Sequence, residues 1–150
     1  MEMITKQFRE ERMKLPKYNE IERFCYSYFK DFGECFFDPG KLSEMHRYWE
    51  PGLQAEIHLI AGGGGAKNVM VGREEYEQYI MNIREEFLIE AEPQDLTIDE
   101  RQITVGALLA ISKIDVRTGL TFRSPGYGVF ELSYCGKSGL KIKRICLYEL

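Results

Sequence analysis

The chain has 150 residues, 44% of them hydrophobic and 29% charged, with a formal net charge of −4 and a pI near 5.3. A domain of this length buries about two thirds of the surface its unfolded chain exposes, so one ordinary core is available. The acidic balance gives no phosphate-neutralising surface, which excludes nucleic acid as a partner.

Residues 1–15 carry Glu2, Lys6, Arg9, Glu10, Glu11 and Arg12, with no apolar leader and no small-residue cleavage site. They read as an N-terminal arm of a cytoplasmic protein, ahead of a single domain over 16–150. Pro16 suits the first turn of a helix reaching Phe32, where Ile21, Phe24, Cys25, Tyr28, Phe29 and Phe32 form one wide apolar face. Gly33 is its expected end. Asp38 as N-cap and Pro39 at the first helical position open a second helix, with Leu42, Met45, His46 and Trp49 on its apolar face and Pro51-Gly52 as its stop.

The next stretch alternates strictly. Leu53, Ala55, Ile57 and Leu59 take one face of a strand, and Gln54, Glu56 and His58 take the other. The glycines 62–65 lack the Lys-Ser/Thr ending of a phosphate cradle and precede an extended piece, so they read as a hairpin or lid loop. A third helix is expected over Arg73 to Phe87. Glu74 and Glu75 sit in its first turn, where the helix dipole favours them, and Tyr76, Tyr79, Ile80, Ile83 and Phe87 make its buried stripe.

Ala91-Glu92-Pro93 breaks the helical pattern, and long antiparallel strands follow from Asp95. One covers Ala107 to Arg117 and a second Tyr127 to Tyr134, joined through the loop Cys135–Gly139 to a closing strand ending at Glu149. In that last strand Leu140, Ile142, Arg144, Cys146 and Tyr148 alternate with Lys141, Lys143, Ile145, Leu147 and Glu149. Arg123-Ser124-Pro125 reads as a bulge or turn. The cysteines at 25, 35, 135 and 146 have no two-residue spacing, and only two histidines are present, so no structural zinc is expected. The longest apolar run, Ala107 to Ile111, is too short for a membrane span.

Helices, a strand, a helix and then a meander of long strands make an α+β order. Phe37-Asp38-Pro39 with Leu42 and Trp49, Val71-Gly72-Arg73-Glu74-Glu75, and Gly126–Phe130 with Ile142–Ile145 carry a resemblance to the NTF2-like superfamily, in its SnoaL-like and ketosteroid isomerase-like group. The resemblance covers residues 17–149. It implies a cone: three helices packed on a strongly curved, mixed but mostly antiparallel sheet around an apolar small-molecule pocket. It also implies a homodimer formed through the sheet.

The isomerases of that group use a carboxylate base on the strand after the second helix, with a Tyr and a carboxylic acid as oxyanion donors. This chain departs from the pattern, with Phe24 near the donor position and Gly128 or Val129 at the acid position. What remains is a looser set. His58 or Glu56 is the candidate base, and Tyr28, His46, Trp49 and Tyr127 are candidate substrate-binding residues. The expected chemistry is cofactor-free isomerisation, cyclisation or dehydration of a carbonyl compound. The alternative is a non-catalytic ligand-binding or protein-interaction module, including a structural role like that of a dioxygenase β subunit.

Overall fold

In the computed structural model the described residues are 15–59, 66–136 and 139–150. The N-terminal arm up to residue 14, the glycine loop 62–65, and Lys137 and Ser138 lie outside them. The first helix, α1, runs from Tyr18 to Phe37, one turn beyond its expected end. Gly33 does not stop it. The apolar stripe continues through Cys35 and Phe36, both buried, and Asp38 is the first residue to leave helical geometry. The Asp38 carboxylate then accepts from the Gly40 N–H at 3.0 Å and opens a 3-10 helix over Pro39–Arg47, where an α-helix was expected.

Strand β1 (Trp49–Leu59) begins before Pro51-Gly52 instead of after it. Its pairing with the closing strand slips between Trp49 and Gln54, and that irregularity accommodates the proline. Strand β2 (Ala66–Val71) returns antiparallel to β1 and delivers the chain to α2 (Arg73–Arg84). Strand β3 (Phe87–Asp99) passes straight through Pro93, because β3 is an edge strand and a bulge lies between Pro93 and Asp95. Strands β4 (Thr104–Asp115), β5 (Thr121–Cys135) and β6 (Gly139–Glu149) complete the meander. Strand β5 is continuous through Arg123-Ser124-Pro125, and its irregularity falls between Glu131 and Leu132 instead.

The six strands form one open sheet in the order β2-β1-β6-β5-β4-β3. All neighbours are antiparallel except β1 and β6. The helices cover one face, as the α+β cone requires. The inward side chains of β1 are Leu53, Ala55 and Ile57, those of β4 are Val105, Ala107, Leu109 and Ile111, and all are buried. Phe130, Leu132, Leu140, Ile142 and Ile145 continue this layer across β5 and β6. In β6 the inward set changes parity at Lys143-Arg144, both exposed, so Ile145, Leu147 and Glu149 follow Leu140 and Ile142 on the same side. Among the described residues no helix is long and apolar enough to cross a membrane.

Aromatic rings fill the deep part of the cone. Tyr28 meets Phe29, Tyr48, Trp49 and Phe130 edge-on at centroid distances of 5.4–6.4 Å. Edge-to-face pairs at this range contribute about 0.5–1.5 kcal/mol each beyond the area they bury. Trp49 is fully buried, and its indole Nε1–H donates to the Tyr28 hydroxyl at 3.2 Å.

Candidate functional site

The space left between the helices and the sheet is a cavity of about 250 Å³ toward the mouth of the cone. Its walls are Phe32 and Phe36 from α1, Tyr76, Tyr79, Ile80 and Ile83 from α2, and Ile57, Ile111 and Leu147 from the sheet. Two larger depressions, about 670 and 590 Å³, are open grooves beside α1 with Lys30 in both linings. They do not enclose a ligand, whereas the mouth cavity combines apolar walls with few polar groups, the usual make-up of a small-molecule site.

The charged lining residues of the mouth cavity are Glu86, Lys113 and Glu149, and the last two are paired, with Ser124 bonded to Glu149 from outside the lining. Lys113 Nζ donates to Glu149 Oε2 at 2.6 Å, and Ser124 Oγ donates to Glu149 Oε1 at 3.1 Å. Both charged side chains are largely buried, at 15% exposure for Glu149 and 23% for Lys113. Strand parity explains the arrangement. Lys113 is the next inward residue after Ile111 on β4, Ser124 pairs with Ile111, and Glu149 pairs with Gly126. Gly126 is needed here because a Cβ would collide with the Ile111 side chain, which would have to move. The Tyr79 phenol is held above the ordinary tyrosine range, first by burial and then by the nearby Glu149 charge. Burial does the same to Tyr76, deeper on α2.

None of the six residues singled out from the sequence lines this cavity. Tyr28 and Trp49 are core residues bonded to each other, and burial raises the Tyr28 phenol beyond the usual range. His46, on the 3-10 helix, places Nε2 against the carboxylate of Glu77 on α2. Glu56 and His58 sit on the outer face of the sheet, with His58 Nε2 3.4 Å from Glu56 Oε2. Tyr127 is also outward, opposite Tyr148 of β6 and 38% exposed. His58, His46 and a Tyr hydroxyl therefore do not converge on one cavity. The reason is β1 parity: Ile57 occupies the inward position, and its neighbours Glu56 and His58 must point the other way. Glu149 is hidden in the sequence because the parity change at Lys143-Arg144 obscures which half of β6 faces inward, and Lys113 and Ser124 stand out only through their bonds to it. The one signal was a C-terminal half of β6 that is apolar on both sides.

No protein-family model matches the sequence, and no curated protein is significantly similar to it. Solved structures match over nearly the whole chain at low identity. A SnoaL-like polyketide cyclase from Jannaschia sp. CCS1 superposes with a TM-score of 0.66 at 14% identity, covering 87% of this chain and 85% of its own. SalBIII, an epoxide hydrolase/cyclase-like enzyme with a role in pyran ring formation in the polyether salinomycin, gives 0.66 at 16%, covering 88% and 92%. A ketosteroid isomerase-like protein from Erwinia carotovora atroseptica SCRI1043 gives 0.59 at 13%, covering 87% and 93%. Element order, sheet order and these superpositions agree: the chain has the cystatin-like cone fold of the NTF2-like proteins.

Proposed function

We propose that this protein binds a small apolar carbonyl compound in the mouth cavity and catalyses cofactor-free proton transfer on it, as an isomerase, cyclase or dehydratase. The Lys113–Glu149 pair on the wall of a mostly apolar cavity carries this reading. Glu149 is the base. Each of its oxygens has two lone pairs, so accepting from Lys113 and from Ser124 leaves a lone pair on each for an incoming proton. Lys113 is the electrophile. Its ammonium has three N–H donors, and those not turned to Glu149 can hold an enolate oxygen as charge develops there. Apolar walls strengthen both effects by keeping water away from the reacting atoms. Glu56 and His58, on the far side of the sheet, take no part.

Cavity size restricts the substrate. A cavity of roughly 150 Å³ accepts benzene, and a water occupies about 30 Å³ of liquid, so 250 Å³ suits a compound of one ring or a small bicycle. A tetracyclic steroid does not fit without widening the mouth. The outer face of the sheet, with Val69, Val71 and Leu108 each more than half exposed, is proposed as the surface on which a second copy pairs.

The test is a thermal-shift panel of single-ring enones, lactones and epoxides, followed by turnover assays on each compound that shifts. A ligand at a hundred times its dissociation constant adds about 2.7 kcal/mol, or roughly 5–10 °C for a domain of this size. Ile83→Phe, which fills the cavity, removes the shift, and Glu149→Gln keeps it while lowering turnover by about 10²-fold or more. Binding without turnover would replace the enzyme reading by a non-catalytic ligand binder. A shift untouched by Ile83→Phe would place the ligand elsewhere and overturn both.

A further inference from the structure

On the face of the sheet turned away from the cavity, β1 and β6 run parallel and set Glu56 directly beside Cys146, with His58 one step further along the same face. The side-chain atoms converge: Glu56 Oε2 lies 3.4 Å from His58 Nε2 and 3.8 Å from Cys146 Sγ, and all three ligand atoms fall within 4.8 Å of one another. We propose that Glu56, His58 and Cys146 form a zinc site, built on the sheet and independent of the mouth cavity.

The donor set is one that zinc takes: a thiolate, an imidazole and a carboxylate. Tetrahedral coordination with bonds of about 2.0 Å to nitrogen and oxygen and about 2.3 Å to sulfur puts N and O about 3.3 Å apart, and S and O about 3.5 Å apart. The observed edges of 3.4 and 3.8 Å are close to those values before any ion is added. The third edge, between Cys146 and His58, is at most 4.8 Å, and rotation of the Cys146 side chain would shorten it within the same strand register.

The surroundings orient the ligands. Tyr148 stacks on the His58 ring at a centroid distance of 4.6 Å and an interplanar angle of 16°, which fixes the imidazole plane. The Tyr148 hydroxyl is 3.3 Å from Cys146 Sγ and can donate to the thiolate. Lys67 Nζ sits 3.9 Å from the other Glu56 oxygen, so Oε2 is left for the metal and coordination is monodentate. Such outer partners raise metal affinity by holding ligands in place. Glu56 and His58 side chains are 27% and 23% exposed in the single chain, so an ion can reach them from solvent before a second copy pairs on this face. As the zinc–sulfur bond forms, the Cys146 proton leaves to solvent. With Glu56 and the thiolate each contributing one negative charge, the occupied site is neutral. Three protein ligands leave a fourth position for water or an exogenous donor, as in zinc centres that bind substrates.

No metal-ligand motif is visible along the chain, because Glu56 and His58 are two apart on one strand but the third ligand is remote. Glu56 and Cys146 are 90 residues apart and meet only through the parallel pairing.

The experiment is titration of chelator-stripped full-length protein with Zn²⁺ by calorimetry and with Co²⁺ by absorption spectroscopy. The expected result is one ion per chain, with a dissociation constant of roughly 1 µM or below, tetrahedral cobalt bands and a thiolate-to-cobalt charge-transfer band. Cys146→Ser abolishes the charge-transfer band. His58→Ala and Glu56→Gln each weaken zinc by about tenfold or more, with far-ultraviolet circular dichroism unchanged. Cys135→Ser leaves all of these signals intact. Should Cys146→Ser fold poorly, Cys146→Ala serves in its place. Lack of saturable binding, a charge-transfer band surviving loss of Cys146, or a band lost equally with Cys135 overturns the site. Neither outcome depends on the mouth cavity, whose ligand shift is read separately with Ile83→Phe.

Discussion

Replacing Tyr28 by Phe removes one oxygen from the middle of the aromatic core. The ring and its edge-on contacts to Phe29, Tyr48, Trp49 and Phe130 stay, so little packing is lost. What changes is the partner of the fully buried Trp49 indole, whose Nε1–H donates to that hydroxyl at 3.2 Å, together with the hydrogen bond between the same hydroxyl and the buried Tyr76 phenol. A buried donor without an acceptor costs about 1–3 kcal/mol, the desolvation its hydrogen bond had offset. At about 2–4 °C per kcal/mol for a domain of this size, Tyr28→Phe lowers the melting temperature by roughly 2–12 °C. The assay is urea unfolding followed by Trp49 fluorescence, with Trp49→Phe and the double variant completing a cycle followed by circular dichroism. Coupling between the two sites should be about 1–2 kcal/mol, in the range of contacting residues. Ligand shifts in the panel should survive Tyr28→Phe, because Tyr28 lies behind the cavity wall and not on it. A melting temperature unchanged within about 1 °C, with no coupling, would refute the bond. A lost ligand shift would return Tyr28 to the binding site.

Other expectations are shorter. Lys113→Met should weaken turnover of any substrate more than its binding, and it should cost stability because the Glu149 carboxylate, 15% exposed, loses its ammonium. Burial pushes the Cys25 and Cys35 thiols up to about 12 from an ordinary value of 9.0. Protons are therefore lost more easily from the unfolded chain, and stability present below pH 9 falls as pH rises toward 12. Cys25→Ala/Cys35→Ala should flatten that slope in thermal melts across the range. Thiol labelling of the native protein should reach Cys135 quickly and Cys146 more slowly, with Cys25 and Cys35 reacting only after unfolding. If the outer face pairs with a second copy, sedimentation should show a dimer that Leu108→Glu, at a half-exposed position, converts to monomer.

The helices and strands were legible where one face is buried and the other wet. The stripe from Ile21 to Phe32, the alternation from Leu53 to Ile57 and the apolar run of β4 all came through, because burial imposes the periods 3.6 and 2.0. Boundaries set by tertiary contact did not. Gly33 and Pro51-Gly52 look like punctuation in isolation, yet one is absorbed by a helix packed on the sheet and the other by an irregularity in β1. The candidate site was less legible still. Its charged pair joins β4 to the end of β6, and only the shift of parity at Lys143-Arg144 turns Glu149 inward. A histidine on a strand attracts attention whichever way it points, and here the fold points it outward.

The parallel pairing of β1 with β6 has a consequence for synthesis. An emerging chain can form α1, the 3-10 helix and β1 early, but the edge of β1 opposite β2 finds its partner only when β6 has left the ribosome. Until then the inward residues Leu53, Ala55 and Ile57 lack half of their layer, and a strand edge stays open to neighbouring nascent chains. The sheet is therefore complete only once β6, Gly139–Glu149, has joined it. Ribosome-tethered chains lacking β6 should remain protease-sensitive and chaperone-bound, and they should lock into the native cone once those residues are free.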